Sequence, residues 1–353
     1  MNQSHETSVN LQQAPLAVLQ NVGIVGAGHI GCFLGALLNQ QHNLKVQFFG
    51  REKLALELAA YGLTAQYPGR SPQLCTPAFY TSLGSLIECD LVLLTVKATS
   101  LPTLIPQLKK YLRPEVPVIA LQNGIGISEM LRHELANPVY RAIVPFNVVK
   151  SSAGSFSMAT SGTMLWPKTS DQRLQYLAAL LQKQGLILQQ VPDMQQAEYG
   201  KLLLNLNNAL NALSGLPLKQ QLLQPTLRHV LAQAMQEWLD VCQALQIQPK
   251  RMTLLPNRWL PGLLRLPTPL FRWLAAGMLR VDANARSSMW DDIQAKRRTE
   301  IMYLNGAVIR LGIQTGVTTP VNAAIVELMK HLEHGDLMPF TPEQLALRLM
   351  SAR

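Results

Sequence analysis

Gly26-Ala27-Gly28-His29-Ile30-Gly31 spaces three glycines as G-x-G-x-x-G, and its neighbours decide what that spacing can do. Val22-Gly23-Ile24-Val25 before it reads as a short buried strand. Cys32-Phe33-Leu34-Gly35-Ala36-Leu37-Leu38 after it reads as a helix lying on a sheet. Between a strand and a helix the pattern is a dinucleotide-binding fingerprint, with a purely structural glycine turn as the competing reading. The first glycine permits the tight turn. The second lets backbone approach a pyrophosphate at the helix N-terminus, and the third brings helix and strand close.

The second strand says which dinucleotide. Leu44-Lys45-Val46-Gln47-Phe48-Phe49 is that strand, and Arg51 is the twentieth residue after Gly31. An acidic residue there would bind the ribose hydroxyls of NAD, whereas an arginine suits the 2′-phosphate of NADP. A planar guanidinium grips phosphate with two bonds, which lysine cannot copy. Glu52, as the next residue, is expected to point elsewhere. The reading is NADP(H), against the blander one of a solvated arginine opening a helix.

A second set of polar residues lies in the C-terminal half. Lys201, Asn205, Asn208 and Ala212 fall at i, i+4, i+7 and i+11 and share one face of a helix otherwise rich in leucine and alanine. A lysine and two asparagines there are costly to bury unless they meet a polar ligand; the alternative is that this is simply the wet face. Ser287-Ser288-Met289 and Arg298-Thr299-Glu300-Ile301 follow. Taken alone, Glu300 reads as a solvated helix carboxylate.

The elements that position these residues change in kind along the chain. Short apolar runs alternate with helical patterns through the first half, with strands over 90–96, 116–122, 139–144 and 186–191. This is the alternation of a doubly wound parallel sheet. From Asp193, with Gln196 as a capping-box partner, helices dominate, roughly over 194–213, 218–246, 285–312, 320–334 and 342–351. Thr319 and Thr341 read as caps, each followed by a proline in the first turn. The expected fold is an α/β Rossmann-type N-terminal domain over 21–192, binding NADP, and an all-α C-terminal substrate and catalytic domain over 193–353. Residues 1–20 read as a flexible tail.

Composition bounds the function. The chain has 353 residues, 48% hydrophobic and 15% charged, which suits a globular protein with a sizeable core. Its 31 basic and 21 acidic residues give a net charge of +10. An excess of that sign suits an anionic cofactor and a carboxylate substrate by steering. No basic block interleaved with aromatics resembles a nucleic-acid module, so nucleic acid is set aside as a partner. Cys32, Cys75, Cys89 and Cys242 lack metal-ligand or redox-pair spacing, which reads as no metal and reduced thiols. The first basic residue is Lys45, and no uncharged apolar run is long enough to span a bilayer. The expected location is cytoplasmic.

Taken together, the motifs resemble the ketopantoate reductase (2-dehydropantoate 2-reductase) family, NADPH-dependent enzymes of the pantothenate route. The likeness runs from about Val22 to Glu327. It rests on GAGHIG, the TVKA of Thr95 to Ala98, the QNGIG of Gln122 to Gly126, KLLLN from Lys201, SSM from Ser287 and TEIMYLNG from Thr299. The resemblance implies that Lys97 and Asn123 line the cofactor site and that Lys201 donates the proton. It implies that Asn205 binds substrate, and that Ser288 and Glu300 hold the substrate's hydroxyl and carboxylate region. The family's second helix asparagine falls at Ala209 by spacing and at Asn208 by local pattern; Asn208 is the choice made. A further family asparagine is Leu218 here, which leaves open a 2-oxo acid other than ketopantoate.

The implied chemistry follows from charge. Hydride arriving at a ketone carbon leaves negative charge on oxygen, which a donor must meet. Lys201 suits that role if Glu300 keeps it protonated against burial. On an unbroken helix Ser288 and Glu300 would lie about 120° apart, so one must sit at a bend or before the helix starts. A non-enzymatic NADP-sensing or membrane-associated regulator is the remaining alternative. The assembly reads as a monomer or homodimer.

One segment departs from the compact members of the family. Over 251–281, Arg258, Arg265, Arg272 and Arg280 recur with Trp259, Phe271 and Trp273 between them. Pro256, Pro261, Pro267 and Pro269 forbid one continuous helix and leave 270–280 helical. The favoured reading is an extra packed loop and helix, over the second domain or at a subunit interface. A membrane-surface segment is the less favoured one.

Overall fold

Three sheets form over residues 21–191 in the computed structural model, which describes residues 19–41, 43–277, 279, 282–336 and 339–350. Twelve strands occur among these residues. They are β1 (Asn21–Val25), β2 (Lys45–Phe49), β3 (Leu63–Gln66), β4 (Leu74–Cys75), β5 (Ala78–Tyr80), β6 (Leu91–Leu94), β7 (Val118–Ala120), β8 (Val139–Arg141), β9 (Val148–Ser152), β10 (Ser155–Met158), β11 (Met164–Pro167) and β12 (Leu188–Val191). The main sheet has the order β5-β2-β1-β6-β7-β8 with every pair parallel. Val25 is registered on both Phe49 and Leu94, so the carboxyl ends of the three central strands are level. Strand order reverses between β1 and β6, the position where doubly wound sheets bind ligands.

Two expectations are corrected here. The 186–191 run does not join the parallel sheet, because β12 pairs with β11 in a separate two-stranded sheet. Beyond β8 the chain bridges β11 antiparallel, with reciprocal 2.9 Å bonds between Ile143 and Leu165, so β11 occupies that edge. A four-stranded sheet, β4-β3-β10-β9, also forms from segments too polar to read as strands, Lys150-Ser151-Ser152 among them.

The chain divides into two compact units. The first comprises residues up to Val96, Pro106–Ala120 and Leu135–Gln190. The second comprises Lys97–Ile105, Leu121–Glu134 and the chain from Val191. In the first unit, α1 (His29–Leu38) lies on the main sheet with Phe33, Leu34, Leu37 and Leu38 fully buried. A Cβ at Gly35 would come 2.3 Å from the Phe48 ring, so only glycine lets α1 lie this close to β2. Next come α2 (Glu52–Tyr61), α3 (Leu101–Tyr111), within which the units divide at Pro106, α4 (Ile127–Glu134) of the second unit and α5 (Gln172–Lys183). Residues 1–18 lie outside the described ones. Leu19 and Gln20, expected in the tail, belong to the folded unit, since Leu19 is buried and Gln20 N donates to Asp90 Oδ2.

The second unit continues with α6 (Met194–Asn205), α7 (Asn207–Ser214), α8 (Leu218–Leu223), α9 (Pro225–Ala244), α10 (Leu260–Leu264), α11 (Thr268–Leu274), α12 (Ser288–Gln294), α13 (Asn305–Thr315), α14 (Pro320–His334) and α15 (Pro342–Met350). Its core centres on α9, with Leu227, Val230, Leu231, Trp238 and Val241 buried. Three expected long helices are broken. The first is interrupted at Leu206. The second breaks at Gln224, held extended at ψ 112° because Pro225 excludes helical backbone before it. The third splits into α12, a 3-10 turn at Ile301–Tyr303 and α13. In the 270–280 stretch α11 ends at Leu274; Arg280 and Val281 lie outside the described residues.

Caps explain where helices start. Asp193 accepts from Gln195 N and Gln196 N, and Thr341 and Gln344 bond each other reciprocally. Thr319 makes no side-chain cap. Instead the buried Glu237 carboxylate of α9 accepts from Val321 N and Asn322 N, using a tertiary contact where a local one was expected.

Candidate active site

In the first unit the glycine turn follows β1 directly. Gly26 has φ +100°, and a Cβ there would lie 2.3 Å from Val96 N; one at Gly31 would lie 2.5 Å from Gly26 O. Both glycines are therefore demanded by the protein's own packing. At Gly28 a Cβ would meet nothing nearer than 4.0 Å, and its φ of −88° is open to any residue. What Gly28 leaves free is space in front of the α1 N-terminus, where backbone N–H groups and the helix dipole favour an anion. That fits a pyrophosphate.

The neighbours hold this turn in place. Gly26 N and Ala27 N both donate to Phe49 O, at 3.0 and 3.2 Å, and Thr95 Oγ1 donates to Gly26 O at 2.6 Å. Ala27 is buried and Ile30 half-buried. His29 is exposed, with Nδ1 3.1 Å from Val148 O. Arg51 is exposed at the end of β2, just before α2, one residue after Gly50, whose Cβ would lie 3.0 Å from that of Ala27. Glu52 is likewise exposed and opens α2.

These glycines make separable predictions. Gly31→Ala should cost about 1–3 kcal/mol of stability, because a backbone carbonyl must move. Gly28→Ala should melt like the parent yet bind dinucleotide at least about tenfold more weakly, since the methyl takes ligand space. Thermal melts and fluorescence titrations of both variants decide it. Equal dinucleotide affinity in Gly28→Ala and the parent would remove the pyrophosphate assignment.

In the second unit the structure gathers residues far apart in the chain. Glu300, 7% exposed, precedes the 3-10 turn, and its Oε1 accepts from Ala98 N at 2.9 Å. The Asn123 side chain also bonds it. Burial pushes the Glu300 carboxyl up from its ordinary value. The Ala98 N–H and the Lys97 charge pull the other way, Asp292 adds to the rise, and Asn123 opposes it. A carboxyl so placed holds a proton more readily than a surface glutamate. Lys97 pairs with Asp292, which is 2% exposed and also accepts from Arg297 Nε at 3.1 Å.

Close backbone packing fixes this cluster. Gly124 has φ +105°, and a Cβ there would come 2.6 Å from Tyr303 Cβ; Ile125 N donates to Tyr303 O at 3.0 Å. The loop carrying Asn123 is thus locked to the turn carrying Glu300. Lys97, Asn123 and Glu300, which the motifs assign separately to cofactor and substrate, form one polar constellation.

Lys201 and Asn205 lie half-buried on α6. Around them the helix is pinned. A Cβ at Gly200 would lie 2.0 Å from Lys250 O, Trp238 Nε1 donates to Tyr199 O at 3.0 Å, and Leu202 and Leu203 are buried. Lys201 therefore stands on the part of α6 not consumed by the core. Asn208 is half-buried on α7, while Ala209 is fully buried. Ser288 is exposed at the first position of α12, and Glu300 precedes the 3-10 turn, so the two do not share one helix.

Ser287, not Ser288, makes the tie to α7. Ser287 Oγ donates to Asn208 O at 2.9 Å and caps Trp290 N, while Ser287 N donates to Asn211 Oδ1 at 2.8 Å. Asn211, Asp292, Tyr303 and the Ala98 N–H were not singled out by sequence reasoning. For Ser287 a signal was present, a serine directly before the helical run, as expected of an N-cap. For Asp292 none was.

Comparison with known proteins decides the family. The family model Ketopantoate reductase PanE/ApbA matches residues 22–171, and Ketopantoate reductase PanE/ApbA C terminal matches residues 193–333. The chain belongs to the ketopantoate reductase family. These are oxidoreductases acting on CH–OH groups. The 2-dehydropantoate 2-reductase of Vibrio cholerae is 27% identical over 257 residues, covering 71% of this chain and 80% of that protein.

Among solved structures, a PanE/ApbA family ketopantoate reductase from Ralstonia eutropha superposes with a TM-score of 0.77 at 24% identity, covering 89% of this chain and 99% of that one. The ternary structure of D-mandelate dehydrogenase with NADH and anilino(oxo)acetate gives 0.73 at 21%, covering 89% and 99%. At these identities the likeness establishes the fold. Leu218 is the position expected to depart from the family's pattern. It opens α8 half-buried, with its N–H donated to Ala285 O at 2.8 Å. Among the described residues no helix is long and apolar enough to cross a membrane.

Proposed function

We propose that this chain reduces 2-dehydropantoate to pantoate with NADPH. The observation that carries the reading is the buried Glu300 carboxyl, bonded to Ala98 N–H and Asn123, with Lys97 acting on it. A protein that merely sensed a dinucleotide has no need of such a constellation in its helical unit. Gly26, Ala27, Gly28, His29, Ile30 and Gly31 would hold the pyrophosphate, and Arg51 the 2′-phosphate. Lys97 and Asn123 would line the rest of the cofactor site. NADPH supplies the hydride when bound. Lys201 hydrogen-bonds the ketone oxygen and delivers a proton to it as negative charge develops there. Asn205, Asn208 and Ser288 orient the 2-oxo acid by its carboxylate and hydroxyl. Glu300 completes that grip, and its burial lets it donate as well as accept a hydrogen bond.

Leu218 favours a second reading, a different 2-oxo acid on the same scaffold. An apolar side chain where the family carries asparagine removes one hydrogen-bonding partner for a substrate hydroxyl. NADPH oxidation followed by absorbance against a panel of 2-oxo acids tests both. Ketopantoate should give the highest kcat/KM, by a factor of at least about tenfold over acids lacking the hydroxyl. A higher value for an aryl or alkyl 2-oxo acid would move the assignment to the second reading, and no turnover of any would reject both.

A further inference from the structure

We infer that the exposed side of residues 254–274 docks on an anionic lipid bilayer. Between Asp240 and Asp282 the chain has no acidic residue and six basic ones, Lys250, Arg251, Arg258, Arg265, Arg272 and Arg280. This stretch carries +6 of the net +10. Arg280 lies outside the described residues.

The inner side of the segment is fully committed. Leu260, Leu263 and Leu264 of α10, with Phe271 and Ala275, are buried in the core around α9. Arg228 of α9, itself buried, donates to the carbonyls of Leu222, Leu264 and Leu266 and to Thr268 Oγ1, and its guanidinium stacks on Phe271. A buried cation satisfied by this many carbonyls holds the segment in one place. The side chains it leaves outward are therefore a built surface.

That surface is amphipathic. Leu254 is 91% exposed, Trp273 75% and Trp259 56%, with Leu270 and Leu274 also exposed. Arg258 and Arg272, the chain neighbours of Trp259 and Trp273, are exposed, as is Arg265, and none of the three makes an ion pair among the described residues. Tryptophan and leucine beside uncompensated arginine is the composition of an interfacial segment, apolar groups entering the acyl boundary while guanidinium groups meet lipid phosphates. Short helices interrupted by Pro256, Pro261, Pro267 and Pro269 suit lying on a bilayer, where the chain stays at the wet interface. A second copy of the same face would bring like charges together. Leucines have no role on a phosphate backbone, which disfavours nucleic acid.

Sedimentation of the full-length protein with vesicles tests this. Phosphatidylcholine mixed with phosphatidylglycerol should pellet it at low salt, phosphatidylcholine alone should not, and added salt should release it. Tryptophan emission should shift to the blue on binding. The triple variant Arg258→Gln, Arg265→Gln, Arg272→Gln should partition about 100-fold more weakly. The double variant Trp259→Ser, Trp273→Ser should also bind more weakly and lose the emission shift. Unchanged melting curves and NADPH turnover would show that both variants fold. Wild-type protein staying in the supernatant with anionic vesicles overturns the proposal whatever the variants do. Binding indifferent to the tryptophan changes, or tighter retention on duplex DNA or an acidic protein than on vesicles, overturns it too.

Discussion

Lys201→Ala is expected to lower kcat by about 10²–10⁴-fold while leaving NADPH affinity and the melting temperature close to the parent's. The size of the effect comes from charge. In the proposed reaction the ketone oxygen takes on negative charge in the transition state, and without the Lys201 ammonium neither the hydrogen bond nor the proton would be supplied in time. The selectivity of the effect comes from placement. Lys201 is half-buried on a helix whose core contacts are made by Tyr199, Gly200, Leu202 and Leu203, so truncation leaves the packing intact. Lys201 is not among the residues proposed to hold the dinucleotide, so cofactor affinity is expected to stay close to the parent's. Steady-state kinetics with saturating ketopantoate, beside a cofactor titration, give the answer. A kcat within a few-fold of the parent would remove Lys201 from the chemistry, and a matched loss of cofactor affinity would mean it acts by binding instead.

The second large effect is expected at Arg51. Arg51→Ala should cost about 1.5–3 kcal/mol of NADPH affinity, roughly 10- to 150-fold, and leave NADH affinity nearly unchanged. Its side chain is exposed at the end of β2, just after Gly50 packs beside Ala27 of the glycine turn. An exposed side chain there contributes little to folding, so the loss should be confined to the 2′-phosphate. Isothermal titration of both proteins with both dinucleotides separates the terms. An unmutated protein that prefers NADH would reject the NADP reading outright.

Much of the fold was legible in the chain because the signals that specify it are local. Val22-Gly23-Ile24-Val25, the glycine turn and the apolar helix after it occur within seventeen residues, and they appear as β1, the turn and α1. Asp193 and Thr341 cap the helices they precede, since a cap is decided within three or four residues of itself. Where the deciding partner is remote, the sequence was silent. The α14 start is held by Glu237, over eighty residues upstream, and not by the adjacent Thr319. The 186–191 run, read as one more strand of the parallel sheet, likewise pairs with β11 in a separate one.

The candidate site divides along the same line. Spacing alone determined that Lys201 and Asn205 share a helix face, that three glycines turn the chain between β1 and α1, and that Arg51 follows the second strand. Only tertiary packing decided that Glu300 would be buried against Ala98 N–H and Asn123, that Lys97 would pair with Asp292, and that Ser287 would carry the tie to α7. The reason is energetic. A buried carboxylate survives only where distant segments bring it donors, and that supply depends on how the whole unit closes. A periodic pattern shows which face of a helix is polar, but which charges that face will meet is settled when the loops carrying them are locked into place, as Gly124 is against Tyr303.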